Sequence, residues 1–340
     1  MSVNDGREKN MDGKIRVAML GMGGMGCTHA AQLHKMEDVE IVALCSNSDD
    51  AIRFNEQTGT DYPVYRDFYR MLDEVKIDAL YVAIPPFAHS GQIEAAAEKK
   101  IAIFAEKPLA LTCERAESIA AAVRENGVRS MMGYHMRFGG AVRYVRELME
   151  ARVTGRPVLY SAAYECNSLH TPWWIRRELC GGQVFEQVIH LYDMAYYMMG
   201  EFNTISGFLA NICHGSVPDY TVEDTSAVAI RFRSGALGCI TGSNCAVPGR
   251  WQGMFKIVFE NCVADFHDYN ELFLTYTKGE GRSERLKFDV DVRWEENRYF
   301  IDMVKGLRPE FASIEEGLVG VRTVSGVVAS SESGGCPVTL

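Results

Sequence analysis

The chain has 340 residues, a length typical of about two domains, and its hydrophobic content of 47% and charged content of 24% are those of a globular protein. A formal net charge of −10 without a stripe dense in Lys and Arg excludes an ordinary nucleic-acid-binding protein. No apolar run reaches the length of a membrane span, and residues 1–13 lack the apolar core of a secretion signal. With ten cysteines and no CxxC pair, we expect a cytoplasmic protein with reduced thiols, residues 1–13 disordered, and no nucleic-acid or membrane partner.

Residues 14–135 alternate strand and helix patterns, which is typical of a doubly wound parallel sheet. The strand candidates are Ile15–Leu20, Glu40–Cys45, Ala79–Ile84, Ile101–Ala105 and Ser130–Tyr134, and the helix candidates are Cys27–Met36, Phe87–Lys99 and Cys113–Glu125. We therefore predict an α/β domain of the Rossmann type over residues 14–135.

Residues 136–340 show longer strand patterns that follow one another directly. The strand candidates are Pro157–Cys166, Phe202–Cys213, Ser226–Phe232, Ala236–Cys245 and Phe255–Phe266, and the helix candidates are Gln183–Met199 and Ser313–Ser330. Runs of strands predict an α+β domain with a large, mostly antiparallel sheet. We expect this domain to bind substrate, with the last helix and tail able to pack back on the Rossmann domain.

The first strand runs into a Gly-x-Gly-x-x-Gly turn, and a helix pattern follows. In this context the first glycine makes the tight turn, the second lets the backbone approach a pyrophosphate, and the third allows close packing of helix and strand. The helix N-terminus would face the phosphates. The alternative is a glycine-rich turn of no special function; we predict dinucleotide binding by Gly21, Met22, Gly23, Gly24, Met25 and Gly26.

The second strand ends in Ser46-Asn47, where an NAD enzyme usually carries an acidic residue for the ribose 2′-hydroxyl. The missing acid removes repulsion against a 2′-phosphate, and Arg53 in the next helical segment could reach that phosphate. This favours NADP over NAD as the cofactor. The alternative is that Ser46 tolerates either cofactor and Arg53 is solvated.

Two further strands end in polar residues at the edge where parallel sheets bind ligands. We place Ile84, Pro85, His89, Glu106 and Lys107 beside the cofactor, and Lys107 can donate to a substrate oxygen. The alternative for the Glu-Lys-Pro sequence is a solvated loop.

Glu186, His190 and Asp193 have the spacing i, i+4, i+7 and would share one face of a helix that is otherwise apolar. Burial lowers the pKa of His190 and flanking carboxylates raise it, so we expect proton exchange near neutrality. One alternative is a satisfied core histidine. The other is a metal site, but no second His or Cys stands at ligand spacing, so we predict no metal.

These motifs, together with Gly133–Phe138 and Gly181-Gly182, occur in the order and spacing of the glucose–fructose oxidoreductase/inositol dehydrogenase (Gfo/Idh/MocA) family, which the chain resembles from about Ile15 to its C-terminus. The resemblance implies that Lys107 and His190 act together at the substrate hydroxyl. Glu186 stands where the family usually has Asp, and His135 where it commonly has Asn. The resemblance therefore implies two sets of site residues. The catalytic residues are Lys107, His190 and Glu186. The substrate-binding residues are Lys107, His135, His170, Trp174, Asp193 and His190.

The resemblance further implies an NAD(P)-dependent oxidoreductase that transfers hydride between nicotinamide and a hydroxyl carbon of a sugar, sugar derivative or cyclitol. It also implies a homodimer or homotetramer formed through the C-terminal sheet. Trp173 and Trp174 suit the apolar face of a sugar, or are simply packed between the domains. Two other classes stay open: an NAD-dependent redox-assisted glycosidase, and a non-catalytic cofactor sensor, although such sensors can lose the lysine or histidine that this chain keeps.

Overall fold

The computed structural model describes residues 13–279 and 281–340. The prediction of a disordered N-terminus falls outside these ranges, except for Gly13. Within them, no helix combines the length and apolar character needed to cross a membrane.

The first part of the chain forms a six-stranded, fully parallel sheet. Its strands are β1 (Ile15–Leu20), β2 (Val39–Cys45), β3 (Val64–Tyr65), β4 (Ala79–Val82), β5 (Ala102–Ala105) and β6 (Ser130–Met132), and its helices are α1 (Gly24–Leu33), α2 (Asp50–Thr58), α3 (Phe68–Glu74), α4 (Gln92–Glu98) and α5 (Cys113–Asn126). The strand order β3-β2-β1-β4-β5-β6 confirms the predicted Rossmann fold. Strands β4, β5 and β6 are wholly buried between helices, as their continuous apolar sequences require.

Helix α6 (Gly140–Glu150) leads into a second sheet of nine strands. These are β7 (Pro157–Glu165), β8 (Phe202–Ala210), β9 (Thr225–Phe232), β10 (Leu237–Ser243), β11 (Gln252–Phe259), β12 (Cys262–Asp268), β13 (Glu271–Tyr276), β14 (Ser283–Lys287) and β15 (Val338–Thr339), and the helices among them are α7 (Arg177–Cys180), α8 (Ile189–Met199), α9 (Val292–Val304) and α10 (Ile314–Glu332). Their order is β14-β13-β12-β11-β7-β10-β9-β8-β15, and only β7 and β10 pair in parallel. The mostly antiparallel sheet is therefore confirmed.

Three segments differ from the sequence-based predictions. The predicted strand Phe255–Phe266 is two antiparallel strands, because the chain reverses at Asn261, whose backbone N–H donates to the carbonyl of Thr154 at 3.0 Å. The predicted helix Phe87–Lys99 is interrupted at Gly91, whose φ of +121° is not helical. The predicted helix Gln183–Met199 begins with a wide π-helical turn before α8.

Helix α10 joins the two sheets. A Cβ on Gly317 would lie 2.6 Å from Met132 Sδ in the Rossmann sheet, so the helix packs closely against this sheet. At the other end of the helix, the Ser330 hydroxyl accepts a 3.0 Å hydrogen bond from the backbone N–H of Gly207 in β8. These contacts fix the position of the second sheet beside the carboxyl ends of the first.

Candidate active site

The glycine turn between β1 and α1 has two crowded glycines and one open one. Gly21 has φ +90°, and a Cβ there would lie 2.4 Å from the Ala83 carbonyl oxygen. A Cβ on Gly26 would lie 2.0 Å from the carbonyl oxygen of Gly21, whereas one on Gly23 would meet nothing within 4 Å. Gly23 is also the N-cap of α1 and offers no side chain to its first-turn N–H groups. This open helix N-terminus fits a pyrophosphate.

A cleft of about 890 Å³ extends from this turn, past the carboxyl ends of the parallel strands, to the start of α8. Its volume lies in the range of small-molecule and cofactor sites. Of the predicted site residues, the cleft is lined by Gly21, Met22, Gly23, Gly24, Met25, Ser46, Asn47, Ile84, Pro85, Glu106, Lys107, His170, Trp174, Glu186 and His190. Gly26, Arg53, His89, His135 and Asp193 are not part of the lining.

The end of the cleft near β2 carries two charged residues that sequence reasoning missed, Asp50 and Arg66. Arg53 does not reach the cleft; its side chain is 58% exposed and pairs with Asp50. A hydrogen bond from the Ser48 hydroxyl and the Arg53 guanidinium lower the pKa of Asp50, which is therefore ionised. Arg66 follows the short strand β3 and donates to the carbonyl oxygen of Ser46 at 3.1 Å.

Glu106 and Lys107 directly follow β5, at the carboxyl-terminal edge of the parallel sheet. The Lys107 ammonium donates to the Glu186 carbonyl oxygen and lies 3.3 Å from Glu186 Oε2. The Glu106 carboxylate turns away from Lys107 Nζ: it accepts from His29 Nε2 at 2.9 Å and lies 3.5 Å from Arg293 Nη1. Burial by itself would raise the pKa of Glu106. The hydrogen bond from His29 and the charge of Arg293 outweigh this effect and lower the pKa to about 2. Glu106 is thus a fixed anion beneath the lysine.

Glu186 and His190 bring two unsatisfied polar atoms to the wall of the cleft. Among the described residues, Glu186 Oε1 and His190 Nδ1 are buried atoms without a hydrogen-bond partner. Burial raises the pKa of Glu186, although Lys107 opposes the shift. Buried polar atoms are almost always paired, so these two are suited to a polar ligand.

The pKa of His190 is held well below its usual value by burial first, then by the charges of Lys107 and Arg293. The imidazole is therefore neutral at pH 7, which differs from the predicted exchange near neutrality. The physical reason is that the flanking carboxylates have other partners: Glu186 holds Lys107, and Asp193 holds Arg137.

Asp193 faces the interior, one helical turn beyond His190. It accepts two hydrogen bonds from Arg137, at 2.6 Å from Nη2 and 3.0 Å from Nε, and both side chains are almost fully buried. Arg137 pairs in turn with Glu316 of α10. Glu186 and His190 thus share one face of the helix as predicted, whereas Asp193 does not face the cleft.

The remaining predicted residues lie around this group. The ring of His135 packs edge-on against His190, with 4.6 Å between centroids, and is half-buried. His170 Nε2 lies 2.7 Å from Gln187 Nε2, and its ring lies 4.2 Å from Trp174, which is buried. His89 is buried without a partner among the described residues, and burial lowers its pKa to about 4.

Glu223 positions the helix that carries Glu186 and His190. Its carboxylate accepts from the backbone N–H of Val184 at 2.8 Å and pairs with Arg177 at 2.9 Å. A Cβ on Gly182, where φ is +114°, would lie 2.4 Å from Glu223 Oε2, which explains that glycine. A carboxylate at a helix N-terminus is favoured by the helix dipole. No local signal in the sequence links Glu223 to Val184, 39 residues earlier.

Comparisons with known proteins agree with this geometry. Residues 15–134 match the oxidoreductase family with an NAD-binding Rossmann fold, and residues 142–264 match the GFO/IDH/MocA C-terminal domain. The chain is similar to the myo-inositol 2-dehydrogenase of Thermotoga maritima, with 28% identity over 89% of this chain and 92% of that protein. It is also similar to the scyllo-inositol 2-dehydrogenase (NAD(+)) of Bacillus subtilis, with 29% identity over 70% of each protein.

Among solved structures, a levoglucosan dehydrogenase in complex with NADH shares the fold, with a TM-score of 0.87 and 19% identity. That match covers 96% of this chain and 99% of the other. The two family matches take in the Rossmann sheet and the first strands of the second sheet, which together frame the cleft. The chain therefore belongs to the GFO/IDH/MocA family and is an oxidoreductase with an NAD-binding Rossmann domain.

Proposed function

We propose that the protein transfers hydride between NAD and a hydroxyl-bearing carbon of a sugar, sugar derivative or cyclitol. The observation that carries this is a single cleft with the open glycine turn at one end and Lys107, Glu186 and His190 at the other. The similarity to two inositol dehydrogenases supports a polyhydroxylated substrate. Bound nicotinamide supplies the hydride chemistry, and the protein supplies position and proton transfer.

In the oxidation direction, His190 accepts the proton of the substrate hydroxyl. Burial and the nearby cations keep its imidazole neutral, so its lone pair is free at pH 7. Lys107 donates a hydrogen bond to the same oxygen and stabilises its developing negative charge. Glu186 holds the Lys107 ammonium in place through its carbonyl and carboxylate oxygens. In the reduction direction the proton returns from His190 to the oxygen.

We propose NAD rather than NADP as the working cofactor. The ionised Asp50 lines the part of the cleft next to Ser46, where the adenosine ribose would lie. Its charge repels a 2′-phosphate, and both nearby arginines already have carboxylate partners: Arg53 pairs with Asp50, and Arg66 pairs with Asp49.

We further propose that the protein forms a homo-oligomer through the open face of the second sheet. Leu159 and Leu237 are cross-strand partners on β7 and β10, exposed by 41% and 50%. Phe208 on β8 is 61% exposed. A second copy of the same sheet would cover these side chains.

All ten cysteines are free thiols, which supports our expectation of a reducing cytoplasm.

The catalytic assignment is tested by the variants Lys107→Met and His190→Ala. Each should lower kcat at least about 100-fold, the lower end of acid–base contributions, while leaving NADH affinity nearly intact. The double variant should lose far less than the product of the single losses, because both groups serve one proton transfer. Turnover is measured with NAD and a panel of inositols and sugars.

Lys99→Met and His34→Ala are matched controls, since Lys99 pairs with Asp73 and His34 bonds Tyr62, away from the cleft. Both should keep wild-type turnover. A folded His190→Ala enzyme with near wild-type kcat would remove His190 from the mechanism.

A further inference from the structure

Cys213, Asp224 and Cys245 meet at one end of the second sheet, outside the cleft. Cys213 follows β8, Asp224 directly precedes β9, and Cys245 follows β10, and these three strands are neighbours. Their two sulfur atoms and a carboxylate oxygen all lie within 4.8 Å of one another. Residues separated by up to 32 positions in the sequence thus present three metal-ligating atoms to one point.

The loop after β8 is folded around the Asp224 carboxylate. Asp224 is fully buried and accepts from the backbone N–H groups of Cys213 at 2.6 Å and His214 at 2.9 Å. The backbone N–H of Ile212 donates to the same carboxylate at 2.9 Å, so three successive residues of the loop are held by Asp224. The ring of Tyr220 stacks on the ring of His214, with 4.9 Å between centroids.

A fourth candidate ligand, His214, lies next to the carboxylate but outside the three atoms that are all within 4.8 Å of one another. Its Nδ1 is in hydrogen-bond contact with Asp224 Oδ2 at 3.3 Å. On a tetrahedral zinc ion, nitrogen and oxygen ligands at about 2.0 Å from the metal are separated by about 3.3 Å. The observed spacing matches that of two ligands on one ion.

The two thiols of the cluster are accessible to a metal ion, since Cys213 is exposed and Cys245 half-buried. A divalent cation bound between them would neutralise the Asp224 carboxylate and stabilise both thiolates.

We propose that Cys213, His214, Asp224 and Cys245 form a structural zinc site. Two thiolates, an imidazole and a carboxylate are a ligand set that zinc accepts in four-coordinate, closed sites. Binding displaces the two thiol protons and requires the exposed Cys213 side chain and the His214 ring to close on the ion. The sequence predicted no metal because its ligand spacing is irregular; strand pairing alone brings these residues together.

The site would stiffen one wall of the active-site cleft. Asn244, the neighbour of Cys245, is fully buried and holds the loop after β7 by accepting from the Ser168 N–H at 2.9 Å and donating to the Ser168 carbonyl at 2.8 Å. That loop continues to His170, which lines the cleft. Zinc therefore fixes the loop that carries His170 without touching the reacting groups.

The test measures zinc binding by the reduced, full-length protein after treatment with a chelator. Titration with zinc chloride against a chromophoric chelator should give one equivalent per chain, and cobalt chloride should produce a thiolate-to-metal charge-transfer band. Cys213→Ser and Cys245→Ser should each weaken zinc binding at least 100-fold and abolish the cobalt band. The melting temperature should rise with zinc in the wild type only.

Cys336→Ser is the matched control, because Cys336 is an exposed thiol outside the cluster and should bind zinc like the wild type. The proposal is overturned if reduced wild-type protein takes up no zinc. It is equally overturned if the Cys213→Ser/Cys245→Ser double variant binds zinc as tightly as the wild type. Isolation of a Cys213–Cys245 disulfide whose reduced form binds no zinc would also refute it.

Discussion

Replacement of Asp193 by Asn separates a structural role from a substrate-binding one. The carboxylate is the main partner of Arg137, and the two side chains are 3% and 1% exposed. Removing one partner of a buried ion pair costs about 3–5 kcal/mol, because the other charge remains buried. Glu316 also pairs with Arg137, so we expect the lower end, about 3 kcal/mol.

This loss converts into a measurable shift of the melting temperature. At about 2.1 cal/mol/K per residue, the unfolding entropy of this chain of 340 residues makes 3 kcal/mol equal to a fall of about 4 °C. Differential scanning fluorimetry and urea titration measure the change. Steady-state kinetics on the same preparation should show KM for the polyol within about threefold of wild type, because Asp193 does not line the cleft.

The opposite pattern would refute this reasoning. If Asp193→Asn kept its melting temperature but raised KM tenfold or more, Asp193 would be a substrate ligand and the ion pair would contribute no stability. Glu316→Gln is the matched control: its side chain is 28% exposed, so it should lose less stability than Asp193→Asn and leave KM unchanged.

Three further predictions follow from the cleft. Because the pKa of His190 is lowered, its neutral form persists below pH 6.5, and kcat/KM for oxidation should show no acid limb at that pH; rates between pH 5 and 8 check this, and a limb at 6.5 would contradict it. Asp50→Asn should raise the ratio of kcat/KM for NADP over NAD about fivefold, since one repulsive charge near 4 Å is worth about 1 kcal/mol in water, and an unchanged ratio would count against Asp50. Gly23→Val should keep the melting temperature but lose NADH binding, whereas Gly26→Ala should lose both; calorimetric titration with NADH distinguishes them, and wild-type affinity in Gly23→Val would exclude the glycine turn from the cofactor site.

The light-scattering mass of Leu237→Glu tests the proposed oligomer. A charge on this exposed β10 position should convert the assembly to monomers, and an unchanged mass would place the interface elsewhere.

The sequence by itself determined the features that depend on near neighbours in the chain. The glycine turn, the strand before it and the helix after it could be predicted because each rests on local conformation and hydrophobic period. The positions of Lys107 and Ser46 at the sheet edge followed as well, because parallel strands all end at the same edge.

Only the tertiary structure decided which charges face the cleft. The sequence positions of Arg53 and Asp193 suggested roles in binding cofactor and substrate. In the folded chain, however, Arg53 forms an ion pair with Asp50, and Asp193 forms one with Arg137. The position of Glu223 at the start of the helix that carries Glu186 and His190 depends on a contact across 39 residues, for which the sequence carries no local signal. The lowered pKa of His190 could not be predicted from the sequence either. It depends on burial and on the partners of the neighbouring carboxylates, which are properties of the folded chain and are not specified by helical spacing.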